Sequence, residues 1–188
     1  RGYDVWLVDL RGYGKSTRPP EMDQPADQNP PLVRTDVAVR DVSSAVDYIL
    51  AKRNINKLNL LGWSWGTTIM GKYTTLNNQK VNKLVLYAPQ WLRQGGAPLT
   101  DKGGQLGAYR VASVADAKNR WLTGVPESAK ATLIPEGWFE KWAEATFETD
   151  PWGKTQSPKK LRAPNGTVQD AREFWTAGIP VYDPKEIH

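Results

Sequence analysis

The stretch that most limits what this chain can become is Leu58-Asn59-Leu60-Leu61-Gly62-Trp63-Ser64-Trp65-Gly66-Thr67-Thr68-Ile69-Met70. A short apolar run stops at a Gly-x-Ser-x-Gly segment and resumes at helical spacing, so the sequence reads as strand, sharp turn, helix. A serine on such a turn has a strained backbone and a hydroxyl held clear of the sheet. Gly62 and Gly66 are expected where a side chain would strike the neighbouring strand or helix. Ser64 then stands at a helix N-terminus, where free N–H groups and the helix dipole favour developing negative charge. A bare Gly-x-Ser-x-Gly also suits an ordinary glycine-rich turn, and the flanking elements are what set this one apart.

Upstream, Asp4-Val5-Trp6-Leu7-Val8-Asp9-Leu10 reads as a buried strand and runs into Arg11-Gly12-Tyr13-Gly14-Lys15-Ser16. Together the two patterns resemble the α/β-hydrolase superfamily, whose fourth strand commonly ends in Asp-x-Arg-Gly-x-Gly-x-Ser and whose fifth ends in a nucleophile elbow. The resemblance implies a partial α/β-hydrolase fold: a parallel sheet core with a helical cap, its N- and C-terminal strands missing. Residues 1–89 would hold strands four to six and the elbow, residues 90–182 the cap, and residues 183–188 the lead-in to a seventh strand. It further implies a cofactor-free and metal-free serine hydrolase with Ser64 as nucleophile and the Trp65 backbone N–H as one oxyanion donor.

Along the chain, residues 17–34 hold five prolines and are expected to form an extended surface connection. A helix over 36–53 follows, with Thr35 as its expected N-cap and Asn54 as terminator. Strand 57–61, the Ser64 turn, helix 65–76 and strand 83–88 complete a β-α-β-α-β order, which predicts a parallel sheet with right-handed crossovers. The Arg11–Ser16 loop reads as bracing for the end of the first strand. After Pro89 the strand pattern stops, and residues 90–182 carry six of the nine tryptophans. Helices are expected over 113–122, opened by the box Ser113-x-x-Asp116, over 136–148, and over 168–177 behind Thr167.

Composition narrows the function classes. A net charge of +5 and a pI near 9.4 raise the question of an acidic partner. The densest basic cluster, Lys159-Lys160-Leu161-Arg162, is short and without interleaved aromatics, so it reads as a solvated loop and no nucleic-acid partner is expected. No apolar run approaches the roughly twenty residues of a membrane span. Zero cysteines exclude disulfides, thiol catalysis and Cys-rich zinc motifs. They leave the compartment open, with the cytoplasm as default, and oligomeric state is not legible.

Acyl transfer through Ser64 needs a base and an acid to orient it, which in this superfamily follow the nucleophile in sequence. The single histidine is His188, out of that order, and the position after strand six holds Pro89-Gln90-Trp91, with no carboxylate. An internal fragment of a longer hydrolase is therefore expected. Serine rather than aspartate at position 64 points to carboxylic esters or related acyl bonds cleaved through an acyl-enzyme. Trp63, Trp91, Trp138 and Trp142 are the expected substrate-contacting residues, and packing between cap helices is the competing reading of the cap tryptophans. Ser64-Trp65-Gly66 and Trp142-Ala143-Glu144-Ala145-Thr146 also resemble proline iminopeptidases, although the glutamate is displaced by one residue and Trp63 stands where they have glycine. The substrate is thus expected to be a small-molecule ester or a peptide. A binding module without turnover is the reading from a different class.

Overall fold

The computed structural model describes residues 2–93 and 103–188. Strand β1 (Leu58–Trp63) and strand β2 (Val81–Tyr87) pair in parallel, with Leu60 opposite Leu84 and Trp63 opposite Tyr87, as the β-α-β order predicts. Helix α2 (Trp65–Leu76) makes the crossover between them, and helix α1 (Thr35–Arg53) lies beside it. Val39, Val42 and Val46 of α1 meet Leu60, Ile69, Tyr73 and Val81 in one buried cluster. The helix face of each strand is thereby covered. On the other face Leu61 and Trp63 stand opposite Val85 and Tyr87, each at least half exposed.

The expected strand over residues 4–10 does not form. The segment is extended, runs antiparallel along α1 and is tied there by side chains: Asp4 pairs with Arg53 at 2.6 Å, the Trp6 ring meets Tyr48, and Arg11 donates to Asp41 at 2.9 Å. No neighbouring strand supplies ladder partners among the described residues, and Leu7 remains 93% exposed. A periodic apolar pattern states what a segment would do beside a strand, and no strand stands beside this one.

The expectation that residues 90–182 hold no strands is also corrected. Strand β3 (Tyr109–Ser113) pairs antiparallel with strand β4 (Lys160–Pro164). Arg162 on β4 is buried because Asp150, itself fully buried, accepts from its backbone N–H at 2.8 Å and from its guanidinium, while Met22 O and Asp23 take the remaining donors. This basic residue serves an interior ion pair and not a solvated loop. Between β3 and β4 run α3 (Val114–Trp121), α4 (Glu127–Leu133), which the sequence reading did not anticipate, and α5 (Trp138–Phe147). The Ser113/Asp116 capping box is formed as expected. Phe139, Ala143 and Phe147 make a second, smaller buried cluster.

Two caps differ from expectation for one reason, a long-range backbone partner. Thr35 is the first residue of α1 and not its cap, because its N–H donates to the Asp170 carboxylate at 2.6 Å. Helix α6 (Gly166–Asp170) starts before Thr167, because the Gly166 N–H donates to Leu32 O at 2.7 Å, and it passes into a π turn over Ala171–Trp175. A Cβ on Gly166 would collide with the backbone of Val33, a β-branched residue held at φ 56°.

The two glycines around Ser64 are not equivalent. A Cβ on Gly62 would collide with the Gly66 carbonyl, whereas one on Gly66 would meet nothing within 4 Å among the described residues. The close approach is therefore borne by Gly62 alone, because at Gly66 the chain has turned into α2 and its Cβ direction leads into open space. Gly62→Ala is expected to cost about 1–3 kcal/mol through a clash with backbone that cannot rotate away. Gly66→Ala is expected to be neutral or to stabilise by up to about 1 kcal/mol. Urea denaturation of the two variants checks the contrast.

Candidate functional site

Ser64 joins β1 to α2 with φ 53° and ψ −121°, a conformation that a non-glycine residue holds only when its surroundings over-determine it. The surroundings do so through three bonds. The Ser64 N–H donates to Tyr87 O at 3.1 Å, which extends the β1–β2 ladder one residue past the strand. The Ser64 carbonyl accepts from the Thr67 N–H at 3.0 Å and from the Thr67 hydroxyl at 2.5 Å. Thr67 is fully buried, and its hydroxyl also accepts the Gln90 N–H at 3.1 Å, so the turn is stitched to the chain leaving β2.

With the backbone fixed in this way, the Ser64 hydroxyl is free. It caps no helix N–H and bonds to no other described residue. Trp65 follows as the first residue of α2, so its backbone N–H has no acceptor within the helix. Its side chain points away from that role: the indole N–H donates to the buried Thr35 hydroxyl at 3.1 Å, and the ring lies 6.1 Å from that of Tyr13. The Arg11–Ser16 loop is held by Asp9, which accepts the Lys15 N–H, and by Arg18, which donates to Gly14 O and Ser16 O, but the strand it was expected to brace does not form. Neither Tyr13 nor Thr67 was singled out by the sequence, and Thr35 was expected only as a helix cap. A threonine immediately after the second glycine of the turn was the available sign for Thr67.

The tryptophans separate. Trp63 lies on the exposed face of β1. Trp91 follows β2 and packs on Trp175 and Tyr182, with ring separations of 5.6 and 5.7 Å. Trp142 groups with Trp121 and Phe139 at 4.8 and 5.6 Å, beside the second buried cluster, and Trp138 on the same helix is 67% exposed. Two open hollows of about 560 and 530 Å³ border α3 and α5. Glu144 lines the first, and Ser64 lines neither.

His188 is excluded as a base for Ser64 in this arrangement. Its backbone N–H donates to Asn78 Oδ1, just past the C-terminal end of α2, while Ser64 precedes the N-terminal end. Twelve helical residues at 1.5 Å each put about 18 Å between them. Among the described residues no group of three acidic or histidine side chains could hold a metal ion, and no helix is long and apolar enough to cross a membrane.

A family model described as alpha/beta hydrolase fold matches residues 1–175. The chain belongs to the alpha/beta hydrolase fold family. Two Schizosaccharomyces pombe proteins, both named as probable lipases, are similar to parts of this hydrolase-fold chain. One is 37% identical over 100 residues, which is 50% of this chain and 22% of that protein. The other is 32% identical over 92 residues, 47% and 20% of the respective lengths. The chain thus matches about a fifth of the length of these curated relatives. No solved structure gives a significant match.

Burial pushes the Tyr13 phenol up to about 12, against the opposing pull of the Arg110 charge. A raised acid in the folded state means that the neutral phenol is favoured there. The resulting stability is complete below the ordinary value of 10.0 and is lost as pH rises through about 12. Ultraviolet titration of phenolate should therefore show a late-ionising tyrosine that Tyr13→Phe removes, leaving Tyr73, which burial also pushes up to about 12.

Proposed function

We propose that Ser64 is the nucleophile of a hydrolase that cleaves carboxylic esters or related acyl bonds through an acyl-enzyme. The observation that carries this reading is the free Ser64 hydroxyl on an over-determined backbone at φ 53°, immediately before the unbonded first N–H of α2. A nucleophile needs that combination: an exposed Oγ whose position costs no reorganisation, and a donor already aimed at the space where the oxyanion develops. Trp65 N–H is that donor. The names of the fission-yeast relatives favour ester substrates over peptides.

In this reading Ser64 Oγ adds to the substrate carbonyl, its proton passes to a base, and the alcohol leaves with a proton returned by that base. Water then reverses the sequence to release the acid. His188 does not serve as the base, and in this reading the base and the acid that orients it are supplied by polypeptide other than these 188 residues. Residues 90–182, with their tryptophans, act as the cap over the substrate. The 188 residues alone are expected to show no p-nitrophenyl ester turnover.

The test uses the protein expressed from its own reading frame. A fluorophosphonate probe should label Ser64, and Ser64→Ala should abolish both the label and ester turnover. Absence of label on a folded protein would favour a binding module in place of an enzyme, and turnover that survives Ser64→Ala would place the nucleophile elsewhere.

A further inference from the structure

Several threonines of α2 turn their hydroxyls back onto the helix. Thr74 donates to Met70 O at 2.7 Å and Thr75 to Lys72 O at 2.8 Å, the ordinary back-bonds of threonine in a helix. Thr67 donates to Ser64 O at 2.5 Å, and it differs from them in two respects. Its hydroxyl also accepts the Gln90 N–H at 3.1 Å, whereas no described residue donates to the hydroxyls of Thr74 and Thr75. The carbonyl it holds, moreover, belongs to the peptide unit whose other end is the Trp65 N–H. An amide N–H can only donate and a carbonyl can only accept, so the Thr67 proton in this relay is directed at Ser64 O.

The Ser64–Trp65 peptide is trans, so its C=O and N–H point in opposite directions within one plane. Ser64 O points along α2 to Thr67, and the Trp65 N–H therefore points out of the N-terminal end of the helix. Other bonds fix the residues on either side of the plane: the Ser64 N–H donates to Tyr87 O at 3.1 Å, and the Trp65 indole donates to the Thr35 hydroxyl at 3.1 Å. They leave one freedom, rotation of the plane about the line between the two Cα atoms, which swings C=O and N–H together. The Thr67 N–H and hydroxyl, on Ser64 O at 3.0 and 2.5 Å, oppose that rotation. The N–H bond closes a three-residue turn of poorer geometry, so the shorter hydroxyl bond carries more of the restraint. A carbonyl that accepts two bonds also polarises its own peptide, which makes the N–H at the far end a stronger donor.

We infer that Thr67 is a positioning residue for the oxyanion donor: its buried hydroxyl, held in turn by the Gln90 N–H, fixes the plane of the Ser64–Trp65 peptide so that the Trp65 N–H is aimed and polarised before the substrate arrives. This rests on the hydrolase reading for the reaction. An aimed donor gains strength as charge builds on the carbonyl oxygen, so the restraint acts on rate and leaves ground-state binding alone. Through Gln90 the segment leaving β2 takes part in setting that rate.

The experiment compares Thr67→Val, which keeps the shape and removes the hydroxyl, with Thr67→Ser, which keeps the hydroxyl, in the protein expressed from its own reading frame. The kcat and KM for p-nitrophenyl butyrate are normalised to fluorophosphonate-reactive sites. Inhibition by phenylboronic acid, whose tetrahedral serine adduct places an oxygen where the oxyanion would stand, is measured alongside. Losing an oxyanion donor outright costs about a hundredfold or more in kcat, so loosening one should cost roughly tenfold. Thr67→Val should therefore lose kcat at nearly constant KM, its boronate affinity should fall by the same factor, and Thr67→Ser should restore both. Thr74→Val removes a comparably buried hydroxyl–carbonyl bond of the same helix and should lower resistance to urea without moving either readout. Should Thr67→Val not fold, Thr67→Cys takes its place, its weaker S–H donor giving a smaller loss of the same kind. Full kcat per labelled site in Thr67→Val, or in that substitute, overturns the inference. So does a fall in kcat that leaves boronate affinity intact or that Thr74→Val reproduces. A wild-type protein that neither takes the label nor turns over ester ends the hydrolase reading first, and this inference falls with it.

Discussion

The Asp170 carboxylate holds the molecule's two halves in register. It is almost fully buried, accepts the Thr35 N–H at the start of α1 and pairs with Arg34 one residue earlier. A carboxylate at a helix N-terminus is favoured by the helix dipole, and a buried one that lost its partners would cost several kcal/mol, so the geometry is tightly specified. Thr35 then receives the Trp65 indole through its hydroxyl. From Asp170 to Thr35 to Trp65, two polar contacts run from α6 to the residue beside Ser64. The segment carrying β3 and β4 therefore cannot shift over α1 without pulling on the turn that carries the serine.

What could be read in advance was whatever local spacing decides. The strand before Ser64, the helix after it, the left-handed Asn54 that ends α1 and the Ser113/Asp116 box all depend on neighbours within a few residues. What could not be read depends on partners far along the chain. Residues 4–10 have the composition of a buried strand but no ladder to join. β3 and β4 look polar and short, and exist because residues about fifty apart in sequence pair with one another. Arg162 reads as a surface cation until Asp150 is placed beside it. The start of α1 moved by one residue because its cap lies 135 positions away.

The same division runs through the candidate site. Ser64 was legible because the strand-turn-helix pattern is local. The residues that fix its backbone, Thr67 and Tyr87, were not, since a hydroxyl or carbonyl becomes a clamp only when the fold brings it within reach. The tryptophans illustrate the limit of composition: a ring is equally good at packing and at lining a pocket, and Trp142 is engaged with Trp121 and Phe139. Tyr13 emerged from geometry alone, as a ring set beside Trp65.

The sheet carries a consequence at the level of single amides. In a parallel pair each residue directs its N–H and C=O to the same side, and successive residues alternate sides. β1 has a ladder partner on one side only among the described residues. The N–H and C=O of alternate residues of the strand that delivers Ser64 are thus locked to β2, while those of the residues between them face an open edge. Deuterium uptake along β1 would read as a comb, slow and fast at every second position, with the last slow tooth at Ser64 itself, whose N–H is held by Tyr87.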